Sequence, residues 1–473
     1  GDERDARAPS RSAPKCGHLH NYLGEGILQH RPVEVCRGHI YFTGGIIVKF
    51  GTGGAIRALA VAGLILSGSA AAAQHTAKAS GPVTINFWFG PDTSGATAQL
   101  IDMFNKANAG KIKVTWQTQA SNTDTYFSNV KRALQAKSTA VDVFAGDVIW
   151  PAQLAGQGLV LPLDKYWPKS QWSKYLDGPV LAVQYKGHIY AAPWFTDYGL
   201  TYYRKDLLAK YHLQVPTTFK QLQNEAVFLV KKHAVKEGFV FQGDQYEGLV
   251  CDALEFVHGA GGRIYGPDAA STTVKAAQGL DVMRSMITSG ASPQAVTTYQ
   301  EPQTVPDFVN GDAAFARNWN YMWTISQDPK QSKVVGKVGV EATLHTIGQA
   351  TGYSTLGGWN FFINKYSKNP DASWQFINFM IGSMAQNYYA VHGGHVMALR
   401  STYSDPAVLK ANPYFKTLIP NLHILPRPTS PVYSDISLRM QQDFHNVLTG
   451  SMSSTKAVSD IESFIKVAEA RFQ

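Results

Sequence analysis

The chain has 473 residues, 44% of them hydrophobic and 16% charged, which excludes a disordered protein and is too long for one ordinary core. Its formal charge is +9, but eight of the 43 Lys and Arg and five of the 34 Asp and Glu lie within residues 1–73, leaving +6 for residues 74–473. The basic residues there stand singly, so nucleic-acid binding is not indicated.

Residues 1–47 are rich in Arg, His and Gly and carry no periodic pattern, and they read as a non-native or disordered extension. Cys16, His18, His20, Cys36 and His39 lack a C-x-x-C pair, so no metal is expected. Residues 48–73 read as a secretory signal. Lys49 and Arg57 precede the apolar run Ala58–Leu66, and Ala71-x-Ala73 supplies a small-residue cleavage pattern before Gln74. The run is short for a bilayer span, and no Cys stands at the cleavage point to carry a lipid. A periplasmic or secreted protein is expected, with Cys251 its lone cysteine and a buried small hydrophobe.

The next segments alternate between strand and helix patterns. Val83–Phe89 reads as a strand, Gly95–Asn108 as an amphipathic helix, and Lys111–Thr118 as a second strand. Asp124–Ala136 has helical spacing, and Val141–Ala145 reads as a short buried strand. This alternation predicts a parallel sheet faced by helices, with ligands beyond the carboxyl ends of its strands. Asp92, Asp147 and Trp150 then share one rim.

The stretch Tyr190–Leu208 is the centre around which the rest of the chain is organised. Its apolar run meets Pro193, which cannot donate to a sheet ladder, so a crossing between sheets is expected there. Asp197 stands among Trp194, Phe195 and Tyr198, a setting suited to holding a small polar ligand at a hinge. Residues 204–354 are richer in helix, one of them capped by Thr217 or Thr218. A strand pattern from Ala313 runs into the aromatics Trp319, Tyr321 and Trp323, and Lys337–Val340 is another short strand. Thr355–Ile363 repeats the hinge logic, with Gly357 and Gly358 before Trp359. Helices are expected at Pro406–Ala411 and Lys456–Phe472.

Phosphate-loop, nucleophile-elbow and zinc-helix motifs are missing from the sequence. Asp147 and Asp197 suit either a glycosidase acid pair or acceptors of sugar hydroxyls. Isolated acids, strand-end aromatics (Trp150, Trp319, Tyr321, Trp359) and Arg427 in a Pro frame together suit a sugar, whose ring faces meet aromatics and whose hydroxyls meet charged partners.

Six motifs in order make residues 83–473 resemble the maltose/trehalose-type solute-binding proteins of ABC sugar importers. They are Val141–Trp150, Tyr202–Leu208, Phe241–Asp252, Arg317–Tyr321, Thr355–Trp359 and Pro426–Pro428. The resemblance implies an α/β, two-lobed periplasmic-binding-protein fold of type II, maltose-binding-like, with its ligand cleft between the lobes at the hinge. The N-lobe would be 83–193 plus 358–398, and the C-lobe 198–354 plus 402–473. It implies Asp147 and Asp197 as acceptors, Arg427 as donor, and Trp319, Tyr321 and Trp359 against the rings, with Gly358 allowing close approach. Thr123 aligns as a hydroxyl contact, Phe195 stands where the branch has Tyr, and Asp92 lies in a turn that departs from the pattern. The implied protein is a monomer without cofactor or enzymatic activity, delivering a disaccharide or short oligosaccharide to a membrane permease. The rival readings are a secreted glycoside hydrolase and a binding protein for another small solute.

Overall fold

The computed structural model describes residues 81–470. Residues 1–73, expected to be an extension and a signal, lie outside the described residues. The first elements are β1 (Val83–Phe89), α1 (Ala96–Ala107), β2 (Ile112–Thr118), α2 (Thr123–Gln135), β3 (Val143–Asp147), β4 (Ala192–Tyr198) and β5 (Leu200–Arg204). There follow α3 (Phe219–Lys231), β6 (Glu237–Val240), α4 (Glu247–Gly259), α5 (Ala269–Thr288), α6 (Glu301–Val309), β7 (Ala313–Asn318) and β8 (Val338–Glu341). The last are β9 (Ser354–Ile363), α7 (Pro370–Met380), α8 (Ser383–Gly393), β10 (Val396–Met397), β11 (Ile424–Leu425), α9 (Tyr433–Thr449) and α10 (Ser454–Glu469).

Local chemistry accounts for these elements. In α1 the buried Ala96, Leu100, Ile101 and Phe104 form one stripe. Asn122 caps α2 by accepting from Thr125 N, and Thr218 caps α3 by accepting from Gln221 N. Every residue of β3, β4 and β7 is buried, as in strands covered on both faces.

Two lobes result. A seven-stranded sheet runs β10-β4-β9-β3-β1-β2, with β11 beside β9, and a four-stranded sheet runs β8-β5-β7-β6. Pairing is parallel among β1, β2 and β3, as the alternation predicts. β9 instead runs antiparallel to both β3 and β4, so the first sheet is mixed. The β3 strand also lies two residues later than expected, because Asp147 still pairs with Trp359. Aromatic packing fills the first core, where the Trp194 ring lies 4.5 Å from Phe361 and 4.8 Å from Tyr389. In the second core α4 is buried along its whole length against α5 and α9.

The crossing is not at Pro193. That residue lies inside β4, where the register with β9 shifts between Trp359 and Asn360, and β10 reaches only Thr196 and Phe195. A bulge and a short flanking strand make room for a residue without an N–H. The chain passes from one sheet to the other at Gly199, between β4 and β5. Trp150 is not on the rim either. It is 1% exposed and packed against Tyr126, Phe127 and Trp359, so it belongs to the core.

Candidate functional site

A cavity of about 1000 Å³ opens where the strand ends and crossing segments meet. All ten of the expected ligand residues line it: Asp92, Thr123, Asp147, Phe195, Asp197, Trp319, Tyr321, Gly358, Trp359 and Arg427. Its volume lies at the upper end of the range of small-molecule clefts, roughly 300–1,000 Å³.

Arg427 is the charged centre of one wall. Its Nη2 donates to Asp147 Oδ1 at 2.6 Å and its Nη1 to Glu247 Oε1 at 2.7 Å. Asp147 sits at the end of β3, and Glu247 opens α4, where it also accepts from the Tyr433 and Ser437 hydroxyls. Burial pushes the Glu247 carboxyl above its usual range, with Arg427 opposing. The guanidinium is thus bound to two carboxylates, and among the described residues its buried Nε has no hydrogen-bond partner.

Asp197 faces His395, with Oδ1 and Nδ1 3.1 Å apart. The imidazole stacks on Tyr389 at 4.9 Å and lies 4.1 Å from the Phe195 ring. Asp92 is turned toward the start of α1. Ser94 N and Thr97 N each donate to it at 2.8 Å, and the Ser94 hydroxyl donates to it as well. Burial works against its charge, yet these bonds hold its carboxyl below the usual range.

The aromatic walls are held from behind. Trp319 donates from Nε1 to Glu301 Oε1 at 3.0 Å, and Tyr246 donates to Glu301 Oε2 at 2.8 Å. Trp359 stacks on Tyr126 and meets Phe89 edge-on, with centroids 5.9 and 5.3 Å apart. Gly358 has φ +122°, and a Cβ there would lie 2.5 Å from Phe195 O, so the close approach of β9 to β4 requires glycine.

Comparison with known proteins gives this arrangement its context. The family model for bacterial extracellular solute-binding proteins matches residues 90–387. The chain belongs to that family. This solute-binding protein is 33% identical over 376 residues to a probable ABC transporter-binding protein of Deinococcus radiodurans, covering 76% of this chain and 87% of that one. It is similar in structure to maltose-bound MalE3 of T. maritima, at 31% identity and a TM-score of 0.76, over 82% of this chain and all of the other. The GacH receptor of Streptomyces glaucescens, solved unliganded and with acarbose, shares the fold at 23% identity and a TM-score of 0.72, over 82% and 99% of the two chains. The family is one of ABC-transporter receptors rather than enzymes.

Glu247, Glu301 and His395 also line the cavity of this solute-binding protein, and sequence reasoning missed them as ligand-site residues. Glu247 lies within the Phe241–Asp252 motif, which was the available signal. His395 looks in sequence like one of several scattered histidines, and Glu301 like an ordinary helix-start acid. Cys251 is free and buried, as expected. Among the described residues no group of His, Cys, Asp and Glu is arranged to hold a metal, and no helix is long and apolar enough to cross a membrane.

Proposed function

We propose that this chain is the exported, monomeric receptor of an ABC sugar importer. It binds a disaccharide such as maltose or trehalose by closure about the crossing segments and delivers it to a membrane permease. The observation that carries this reading is one cavity in which Trp319, Tyr321 and Trp359 stand with Asp147 and Asp197. Flat apolar faces beside charged acceptors suit a sugar ring bearing hydroxyls. The 31% identity to a maltose-bound protein supports the same class.

The two lobes of the proposal follow the expected 83–193 with 358–398 and 198–354 with 402–473, except that the first extends through β4 to the crossing at Gly199. Ligand favours closure because the closed form contacts it from both lobes. Asp147 and Asp197 accept from hydroxyls. Arg427 is the donor of the site and orients Asp147, while Trp319 and Trp359 cover ring faces. Thr123, Phe195, Tyr321 and Asp92 complete the walls, and Gly358 admits the ligand close to the backbone. The chain performs no chemistry and needs no cofactor.

Calorimetric titration with maltose, trehalose, sucrose, maltotriose and glucose tests the proposal. A saturable disaccharide isotherm near micromolar, about 8 kcal/mol, with the sugar recovered unchanged, is the expected result. Silence across the panel, or cleaved sugar, removes the assignment.

A further inference from the structure

Behind the cavity lies an ion-pair network that lines none of it. Arg317, on β7, donates from Nε to Glu255 Oε2 at 2.9 Å and from Nη2 to Glu255 Oε1 at 2.6 Å. Its Nη1 lies 2.9 Å from Asp252 Oδ1 and donates to Gln242 Oε1 at 3.2 Å. The three charged side chains are at most 4% exposed. A planar fork gripped on both edges cannot rotate without losing several charge-assisted bonds at once.

The network touches three functional elements. The Arg317 guanidinium carbon lies 4.1 Å from the centroid of the Trp319 ring, so one face of that indole rests on a fixed cation. Glu255 Oε1 also accepts from Thr355 N at 3.1 Å, at the start of β9. A Cβ at Gly199 would lie 1.8 Å from Glu255 Oε1 and 2.4 Å from Arg317 Nη2, so the other crossing segment rests directly on the same pair. Ser354 donates to Gly199 O at 2.8 Å, joining the two crossings to each other.

We infer that Glu255 and Arg317 are positioning residues that couple the crossing segments of the hinge to the orientation of Trp319, without touching ligand themselves. This rests on the reading of Trp319 as a ring-stacking residue. The fork of Arg317 fixes the tilt of the indole, and the shared carboxylate fixes Thr355 and Gly199 against it. A change in the angle at either crossing therefore reaches the stacking face through a single ion pair.

Two measurements on full-length Glu255→Gln test the inference. The variant keeps the shape and an acceptor while removing the charge. In the ligand-free protein, amide hydrogen exchange should quicken about tenfold across residues 195–204 and 352–358, while Val143–Asp147 stays unchanged. With maltose as probe, Glu255→Gln should weaken binding roughly tenfold in the native background and less than about twofold beside Trp319→Phe, because residues acting through one another are not additive. Arg317→Lys, which keeps the charge but loses the fork, should repeat both patterns if Glu255→Gln folds poorly. Uniformly faster exchange, no change at the crossings, or equal losses of affinity in both backgrounds overturns the inference. If maltose does not bind, the sugar assignment fails, and the exchange pattern alone decides whether the pair holds the crossings.

Discussion

Replacing Arg427 by Met leaves Asp147 and Glu247 buried without their shared counter-charge. In the native protein Arg427 is 1% exposed in its side chain and binds the two carboxylates at 2.6 and 2.7 Å. At an effective dielectric near 20 and about 4 Å between charge centres, each pair is worth about 4 kcal/mol, so the two attractions together come to about 8 kcal/mol before desolvation offsets them. Removing one partner of a buried pair costs about 3–5 kcal/mol, and about 4 kcal/mol is the expected loss at pH 8. The loss should shrink toward pH 5. Burial already raises the Glu247 carboxyl above its ordinary 4.5, and Arg427 is the charge pulling it down. A carboxyl raised in the folded state contributes stability that is full below the unfolded value and lost as pH rises through the folded one. Without Arg427 the folded value climbs further, so the variant suffers most at alkaline pH. Urea titration of the ligand-free protein at pH 8 and pH 5, followed by fluorescence and circular dichroism, measures both quantities. A loss below about 1 kcal/mol at pH 8, or one that grows on acidification, would refute the reasoning.

Trp319→Ala should weaken disaccharide binding roughly 30-fold in calorimetry, as expected for an aromatic anchor that a ligand covers. Gly358→Ala should lower stability to urea by about 1–3 kcal/mol, since φ is +122° and the added methyl meets Phe195 O and Thr196 Cα. A maltose carrying a phosphate should bind at least about 100-fold more weakly than maltose. Asp92, Asp197 and Glu301 line the cavity, and the arginine there is already held by two further carboxylates. Glu225, pushed up to about 7 by burial, contributes stability present below its ordinary 4.5 and lost as pH rises through about 7; Glu225→Gln should flatten the decline in thermal midpoint between pH 5 and 8.

Periodicity is informative wherever an element has one wet face. The stripe of α1 and the caps of α2 and α3 are written locally, and their positions follow to within a residue or two. It is silent where both faces are covered. All thirteen residues of α4 are buried, so no amphipathic pattern marks the helix that delivers both Glu247 and Glu255. Pro193 misleads for a related reason: its exclusion from ladders is relaxed by a bulge in β4 itself, where the register with β9 skips Trp194, and by a flanking strand of two residues, neither of which is visible locally. Gly199, which makes the actual crossing, carries no signal stronger than being one of 42 glycines.

The polar half of the site is legible only in part because its chemistry belongs to pairs far apart in the chain. Asp147 and Arg427 are 280 residues apart, and Asp197 and His395 are 198 apart. An isolated carboxylate in sequence looks the same whether it points at a ligand, caps a helix as Asp92 does, or neutralises an arginine. Its partner decides. The aromatic half needs less information, since a Trp after a strand end has few places to go, yet Trp150 and Trp359 show the limit. They pack against each other with centroids 5.8 Å apart, but only Trp359 reaches the cavity. What separates them is the antiparallel pairing of β9 with β3, which sets Trp359 opposite Asp147 at the strand end while Trp150 turns back beneath it onto Tyr126 and Phe127. A ligand stacked on Trp359 would therefore also feel Trp150, and Trp150→Phe should loosen binding in the same calorimetric titration by lowering the support under that ring rather than by removing a contact.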